Sequence, residues 1–352
     1  METLLRVGRP SDSELVAAFC ELELTTAAKY KSPHHAQQII TKRLLRSFPE
    51  ILVSPTQSVD GFVVVLPKSR YESARWKEEL VSAGVKVLRC GWVDGGVLAS
   101  ALRFSIWQRT SPEWNRVGES LVQGTDFLNN MRKRKFKRMT VEAYCNSSGE
   151  LYLRLLADVV RLHPMEKWET GMEQELVQQS AILHSLRYEH PNTPVFSKWC
   201  RVLPKASKGQ VVGIRDSLPA SSTFQNYAEL ANFWWETYGY SLPSTAPSYY
   251  YEVYFTRLPG VPPLTYPPCC VLSGDPVVVE GVDTQEHRII LQAFLQVLAR
   301  KMHTICGVPL SLTLIPHRER TPKPITAYFL KRKRDAEESD VTKTERKQAK
   351  LG

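Results

Sequence analysis

The sequence predicts a mixed α/β or α+β body, a mixed sheet covered by helices, that ends in a disordered basic C-terminal tail. Three observations predict it. Short β-branched runs such as Gly61-Phe-Val-Val-Val-Leu66 alternate with segments of helical periodicity along the first 140 residues. Hydrophobic residues make up 43% of the 352, enough to bury a large core. From His317 onward the chain is polar, charged and nearly free of aliphatics, a composition that cannot bury enough apolar surface to fold.

The elements follow in order. Ser11-Asp-Ser-Glu14 has capping-box spacing ahead of Leu15, Val16, Phe19 and Leu22, which predicts a helix. A second helix is predicted over 36–48 and a buried strand over 61–66. Residues 71–83 read as a helix closed by Gly84, and 85–93 as another strand. Segments 97–107 and 114–131 supply helical cover. The runs 140–145 and 151–162 flank Asn146-Ser-Ser-Gly149, a turn-forming cluster, so a hairpin is expected. A surface helix is predicted over 166–187, then extended runs at 199–203 and 210–215, a helix over 227–238 and a strand over 249–255. Pro-rich 259–268 reads as a loop or extended segment, because proline donates no ladder hydrogen bond. The last helix spans 285–303, with Ile289, Ile290, Ala293, Phe294 and Val297 as its core stripe. Residues 1–140 are expected as an α/β lobe, 141–315 as an α+β lobe packed on it, and 316–352 as the tail.

No apolar run approaches the ~18 residues of a membrane span, and residues 1–10 carry no signal-type segment, so a soluble intracellular chain is expected. Seven cysteines without framework spacing predict reduced thiols. On that basis the glycosylation pattern Asn146-Ser-Ser148 is set aside. A Gly-rich phosphate loop, an HExxH pair and a Gly-x-Ser-x-Gly elbow are all missing from the sequence, and a non-enzymatic protein with no cofactor and no metal is expected. His303-Thr-Ile-Cys306 places two metal-ligand types three apart with no matching second pair, and reads as a helix-end histidine and a buried thiol. Cys269 and Cys270 read as small core residues, His34-His35 as exposed at a helix start, and Asp94-Gly-Gly96 as a turn. The aromatic clusters Phe233-Trp-Trp235 and Tyr249-Tyr-Tyr251 stack bases or, on the blander reading, fill a core or an interface.

The net charge of +10 is concentrated. Arg132, Lys133, Arg134, Lys135, Lys137 and Arg138 contribute six cations between Met131 and Met139, and the tail contributes a net +5, leaving the remainder near neutrality. The first cluster is an exposed, solvated connector or a nucleic-acid backbone contact.

Trp114-Asn-Arg116 with Leu121-Val-Gln-Gly124 and Asp126-Phe-Leu128, then Trp199-Cys200 with Val202-Leu-Pro204, then Cys306-Gly307 with Pro309, carry a family likeness. The chain resembles a vertebrate domain-of-unknown-function family typified by an uncharacterised human chromosome-18 open-reading-frame protein. The resemblance covers most of residues 1–315 and implies no activity; it also implies a long disordered C-terminal region, where this chain stops soon after the fold.

The tail holds the most specific signal. In Thr321-Pro-Lys-Pro-Ile-Thr-Ala-Tyr-Phe-Leu-Lys-Arg-Lys-Arg334, the side chains of Ile325, Tyr328 and Phe329 stand at i, i+3 and i+4, so one helical turn presents all three on one face. The triplet resembles the PCNA-interacting box, which plugs a pocket of the replication sliding clamp; Pro322 stands where that class prefers Gln. Composition alone yields such a window roughly once in 900, yet a decoy, Leu230 with Phe233-Trp234, occurs inside the predicted fold. The alternative is that the triplet docks on its own domain. Lys331, Arg332, Lys333 and Arg334, followed by Arg346 and Lys347, match a bipartite nuclear import signal read by importin. The leading expectation is therefore a nuclear adaptor in DNA replication or repair recruited to the sliding clamp (PCNA). The runner-up is a nucleic-acid-binding protein using Arg132 to Arg138 and exposed aromatics.

Overall fold

The computed structural model describes residues 1–316 except 31, 57, 59, 130, 132–134, 171–197, 221 and 256–262. Met1–Thr313 form one unit and Leu314–Gly352 a second, of which only 314–316 are described. Four sheets, one of them a two-stranded hairpin, and seven α-helices are found among the described residues, with antiparallel ladders in each sheet, so the architecture is α+β.

One sheet is four-stranded in the order β3 (Leu52–Pro55), β4 (Gly61–Pro67), β2 (Leu15–Leu22), β5 (Val85–Gly91). Strand β2 replaces the expected first helix. The Glu14 carboxylate does accept from the Ser11 backbone N–H at 3.1 Å, but this closes only a 3-10 turn over Asp12–Glu14. The residues after it are apolar toward both faces: Leu15 joins one core, while Ala18, Cys20 and Leu22 join another. A run apolar all round has no period that separates helix from strand, and pairing on both edges decides in favour of strand.

After the single turn α1 (Leu24–Ala27), helix α2 (Pro33–Ser47) begins three residues earlier than expected. The Ser32 hydroxyl accepts from the His35 N–H at 3.1 Å, and Pro33 sits where its missing N–H costs nothing. Ile40 and Leu44 of α2 share a core with Phe62, Val64 and the fully buried Trp76. The helix expected over 71–83 is divided into α3 (Lys68–Glu72) and α4 (Ala74–Ser82), because Ser73 leaves the helical path to cap α4.

The second sheet has the order β18 (Leu312–Leu314), β1 (Glu2–Val7), β9 (Leu151–Arg161), β8 (Phe136–Cys145), β7 (Ser120–Gln123), β6 (Trp114–Val117), with β15 (Val277–Val278) also on β9. β8 and β9 are the expected hairpin. The expected helix over 114–131 is instead the β6–β7 hairpin: Val117 pairs Ser120, and Gly118, at φ +64°, makes the reversal that two β-rich runs need. Helices α5 (Gly95–Thr110) and α7 (Thr284–Lys301) share this sheet's core, where Trp114 meets Phe294 edge-on at 5.3 Å. On α7 the buried residues are Ile290, Phe294, Val297 and Leu298; Ile289, expected in the core, lies one step off that stripe and is exposed. Asp94, read as a turn, caps α5 by accepting from the Gly96 and Val97 N–H groups.

The third sheet runs β13 (Leu264–Tyr266), β12 (Tyr250–Tyr254), β11 (Ser207–Arg215), β10 (Lys198–Val202), β14 (Val271–Leu272). A small hairpin joins β16 (Thr304–Ile305) to β17 (Val308–Pro309). Helix α6 (Tyr227–Tyr238) has the expected limits. The Asn226 side chain accepts from the Glu229 N–H at 2.9 Å, and Gly239 closes the helix at φ +75°. A Cβ at Gly239 would lie 1.9 Å from the Ser111 hydroxyl, so a side chain fits neither the backbone nor the space. The decoy residues Leu230 and Trp234 are buried core. Of the helix expected over 166–187, Lys167–Thr170 form a 3-10 turn and 171–187 lie outside the described residues.

Candidate functional site

Helix α2 carries His35, Ile39, Lys42, Arg43 and Arg46, at offsets of four, seven, eight and eleven from the first, along one face. That face forms a wall of a groove of about 1120 Å³. α6 supplies a second wall through Asn232, Trp235 and Glu236, and the ends of α5 and α7 contribute Arg109 and Lys301. His35 ties the two helices together. It was expected on the surface, but the earlier helix start turns its ring inward, edge-on to Tyr30 at 5.5 Å and to Phe233 at 4.7 Å.

Among the described residues the lining is unevenly charged: five cations against the single carboxylate of Glu236. Two of the five are neutralised by neighbours. Arg43 donates to Glu79 at 2.7 Å, and Lys301 lies 3.4 Å from Glu113. Arg109 is structural: its guanidinium donates to the carbonyls of Phe48, Pro49 and Ile51, and burial lowers its pKa to about 10. Lys42 and Arg46 are different. The Lys42 ammonium donates to the Glu236 main-chain carbonyl at 2.8 Å, and neither residue has a carboxylate ion-pair partner among the described residues. Burial, then repulsion from Arg46 one turn away, brings the Lys42 pKa down to about 8, while Glu236 pulls the other way. Two cations left to repel each other beside a concave wall are the electrostatic condition an incoming anion relieves.

The residues singled out from the sequence fall elsewhere. Ile325, Tyr328, Phe329, Lys331, Arg332, Lys333, Arg334, Arg346 and Lys347 lie outside the described residues, as do Arg132, Lys133 and Arg134. Lys135 is exposed ahead of β8, and Lys137 and Arg138 sit on it. Arg138 is engaged with Asp158 across the ladder at 2.7 Å. Of the aromatic clusters, Trp234, Tyr250 and Tyr251 are buried, whereas Trp235 is 49% exposed and faces the groove. Lys42, Arg46 and Asn232 were missed; the signal available was the helical spacing of Lys42 and Arg46. His303 and Cys306 belong to no group of three or more potential metal ligands among the described residues, and Cys306 is buried, its thiol raised to about 12 by desolvation. No helix of the described residues is long and apolar enough to cross a membrane.

The model of one protein family, Domain of unknown function (DUF4708), matches residues 4–279. The chain belongs to that family. The matched span takes in α2, α5 and α6, and so most of the groove, but stops short of α7 and Lys301. Among solved structures, the chain is similar at 10% identity and TM-score 0.37 to Aquifex aeolicus Argonaute, with 91% of this chain and 45% of that one covered. It is similar at 9% and 0.34 to Clostridium butyricum Argonaute bound to a guide DNA and a 19-mer target DNA, covering 90% and 43%. For Marinitoga piezophila Argonaute in complex with guide RNA and target DNA the values are 8% and 0.32, covering 86% and 35%. The chain spans less than half the length of each of these structures, and likeness this shallow carries no inference about the DUF4708 chain.

Proposed function

We propose that the folded body binds a polyanion, with nucleic acid as the class of ligand, through the groove between α2 and α6. The observation that carries this reading is the pair Lys42 and Arg46, held on one helical turn with no ion-paired carboxylate among the described residues. Such contacts act on phosphate through counterion release, so affinity is expected to fall steeply with salt and to be largely independent of sequence. The test uses the full chain with three sets of changes: Lys42→Ala with Arg46→Ala in the groove; Arg132→Ala, Lys133→Ala and Arg134→Ala in the first basic cluster; and Ala in place of Lys331, Arg332, Lys333 and Arg334. Binding of heparin and of a mixed-sequence DNA is followed by anisotropy across a salt series. The groove pair is expected to weaken both more than either other set; no loss from the groove pair would reject the reading.

A second reading is favoured by the tail. Ile325, Tyr328 and Phe329 support a role as a non-enzymatic nuclear adaptor in DNA replication or repair, docking on the sliding clamp, with Lys331 to Arg334 and Arg346-Lys347 directing import through importin. Burying the three side chains contributes roughly 1.5–3 kcal/mol each before ordering costs. A peptide of residues 321–334 should bind purified clamp, and Tyr328→Ala with Phe329→Ala should abolish that binding. Equal behaviour of the two peptides would end this reading. Within DUF4708, the Trp114, Trp199 and Cys306 stretches support kinship with the vertebrate branch typified by the human chromosome-18 protein.

A further inference from the structure

A second cavity, of about 430 Å³, adjoins the basic groove and shares Asn232 and Trp235 with it. Its chemistry is different: among the described residues none that lines it is charged, and its walls include Tyr227, Ser241, Pro243 and Ser244. We propose that the two cavities together hold single-stranded nucleic acid, with phosphates over Lys42 and Arg46 and one base in the neutral cavity against the Trp235 indole. The inference rests on the polyanion reading of the groove and deepens it.

The two halves of a nucleotide want opposite surroundings. A phosphate is stabilised by cations that hold no ion-paired carboxylate, which the groove offers among the described residues. A base wants a flat apolar face to stack on and a few donors and acceptors at its edge, and the smaller cavity offers both. Trp235 and Trp234 are chain neighbours on one capped helix, yet Trp234 is 3% exposed and Trp235 is 49% exposed, so the second indole presents a stacking surface that the core does not use. The Asn232 amide, one turn before it on α6, and the hydroxyls of Ser241 and Ser244 supply edge contacts. The Tyr227 hydroxyl donates to the Pro243 carbonyl at 2.6 Å, which fixes that wall in place before any ligand arrives. A duplex keeps its bases paired and stacked, and fills the neutral cavity only by unpairing one.

The test compares three probes on the full chain: a 20-nucleotide strand, the same strand with abasic sites throughout, and its duplex, each as DNA and as RNA. The intact strand is expected to bind at least about fivefold more tightly than the abasic strand or the duplex, the range that stacking on one aromatic ring supplies. Binding of either sugar form in this pattern supports the inference, and the tighter form names the source. Trp235→Ala should erase the preference for the intact strand and Trp235→Phe should keep most of it, while Lys42→Ala with Arg46→Ala weakens all three probes. Equal binding of the three probes to the wild type, or a preference that survives Trp235→Ala, overturns the inference and leaves the polyanion reading standing. If heparin and every probe are indifferent to Lys42→Ala with Arg46→Ala, both fall. The abasic comparison needs no variant, so it stands even if a substituted chain misfolds.

Discussion

The basic stretch at 131–139 and helix α2 present their cations in opposite ways. Between Met131 and Met139 six cations crowd the sequence, whereas α2 carries three in fifteen residues. On strand β8, successive side chains point to opposite faces, so Lys137 and Arg138 cannot converge on one ligand, and Asp158 already holds Arg138. On α2, the four-residue spacing brings Lys42 and Arg46 to the same wall, and α6 closes a groove over them. Density of charge along a chain and convergence of charge in space are separate properties, and binding depends on the second.

The comparison is broken or sharpened most strongly by charge reversal. Lys42→Glu with Arg46→Glu is expected to lower affinity for heparin or DNA about thirtyfold at low salt, while Lys135→Glu with Lys137→Glu changes it less than about threefold. Anisotropy titrations at matched ionic strength check both. Next in size is a stability effect. Arg138→Ala leaves the Asp158 carboxylate, only 15% exposed, without its partner, and should cost about 1–2 kcal/mol in urea unfolding with little change in affinity. A large loss of affinity from that change would mean that β8, not α2, carries the site.

Smaller still is a pH effect confined to the groove. With Lys42 lowered to about 8 by burial, its charge is lost between about pH 7 and 9, and affinity for a polyanion should fall about threefold over that span. Lys42→Arg should make the profile flat. Stability has the opposite sign: between about 8 and the ordinary lysine value of ~10.4 the unfolded chain binds more protons than the folded one, so this group favours folding as pH rises. Last, Asn226→Ala removes the cap of the helix that carries Trp235 and should lower the melting stability by about 1 kcal/mol.

Much of the fold was legible where local chemistry and tertiary context agree. The limits of α6 follow from Asn226 and Gly239, and the β8–β9 hairpin from Asn146-Ser-Ser-Gly149 between two β-rich runs. Reading failed at β2, whose apolar residues face two cores, and at β6–β7, where Gly118 is the reversal of a hairpin and not a flaw in a helix. The site was less legible because it is made by packing. Trp235 was visible as part of an aromatic cluster, but which ring stays out of the core is set by the phase of α6. Lys42 and Arg46 acquire meaning only when α6, some 190 residues further along the chain, comes to lie beside α2.

The most direct test of the central claim is the salt dependence of single-strand binding for the wild type and for Lys42→Ala with Arg46→Ala. If these two cations meet phosphates, the slope of log affinity against log salt should become shallower by about 1.4, roughly 0.7 for each contact removed. Parallel slopes would contradict it and place the phosphate contacts elsewhere on the chain.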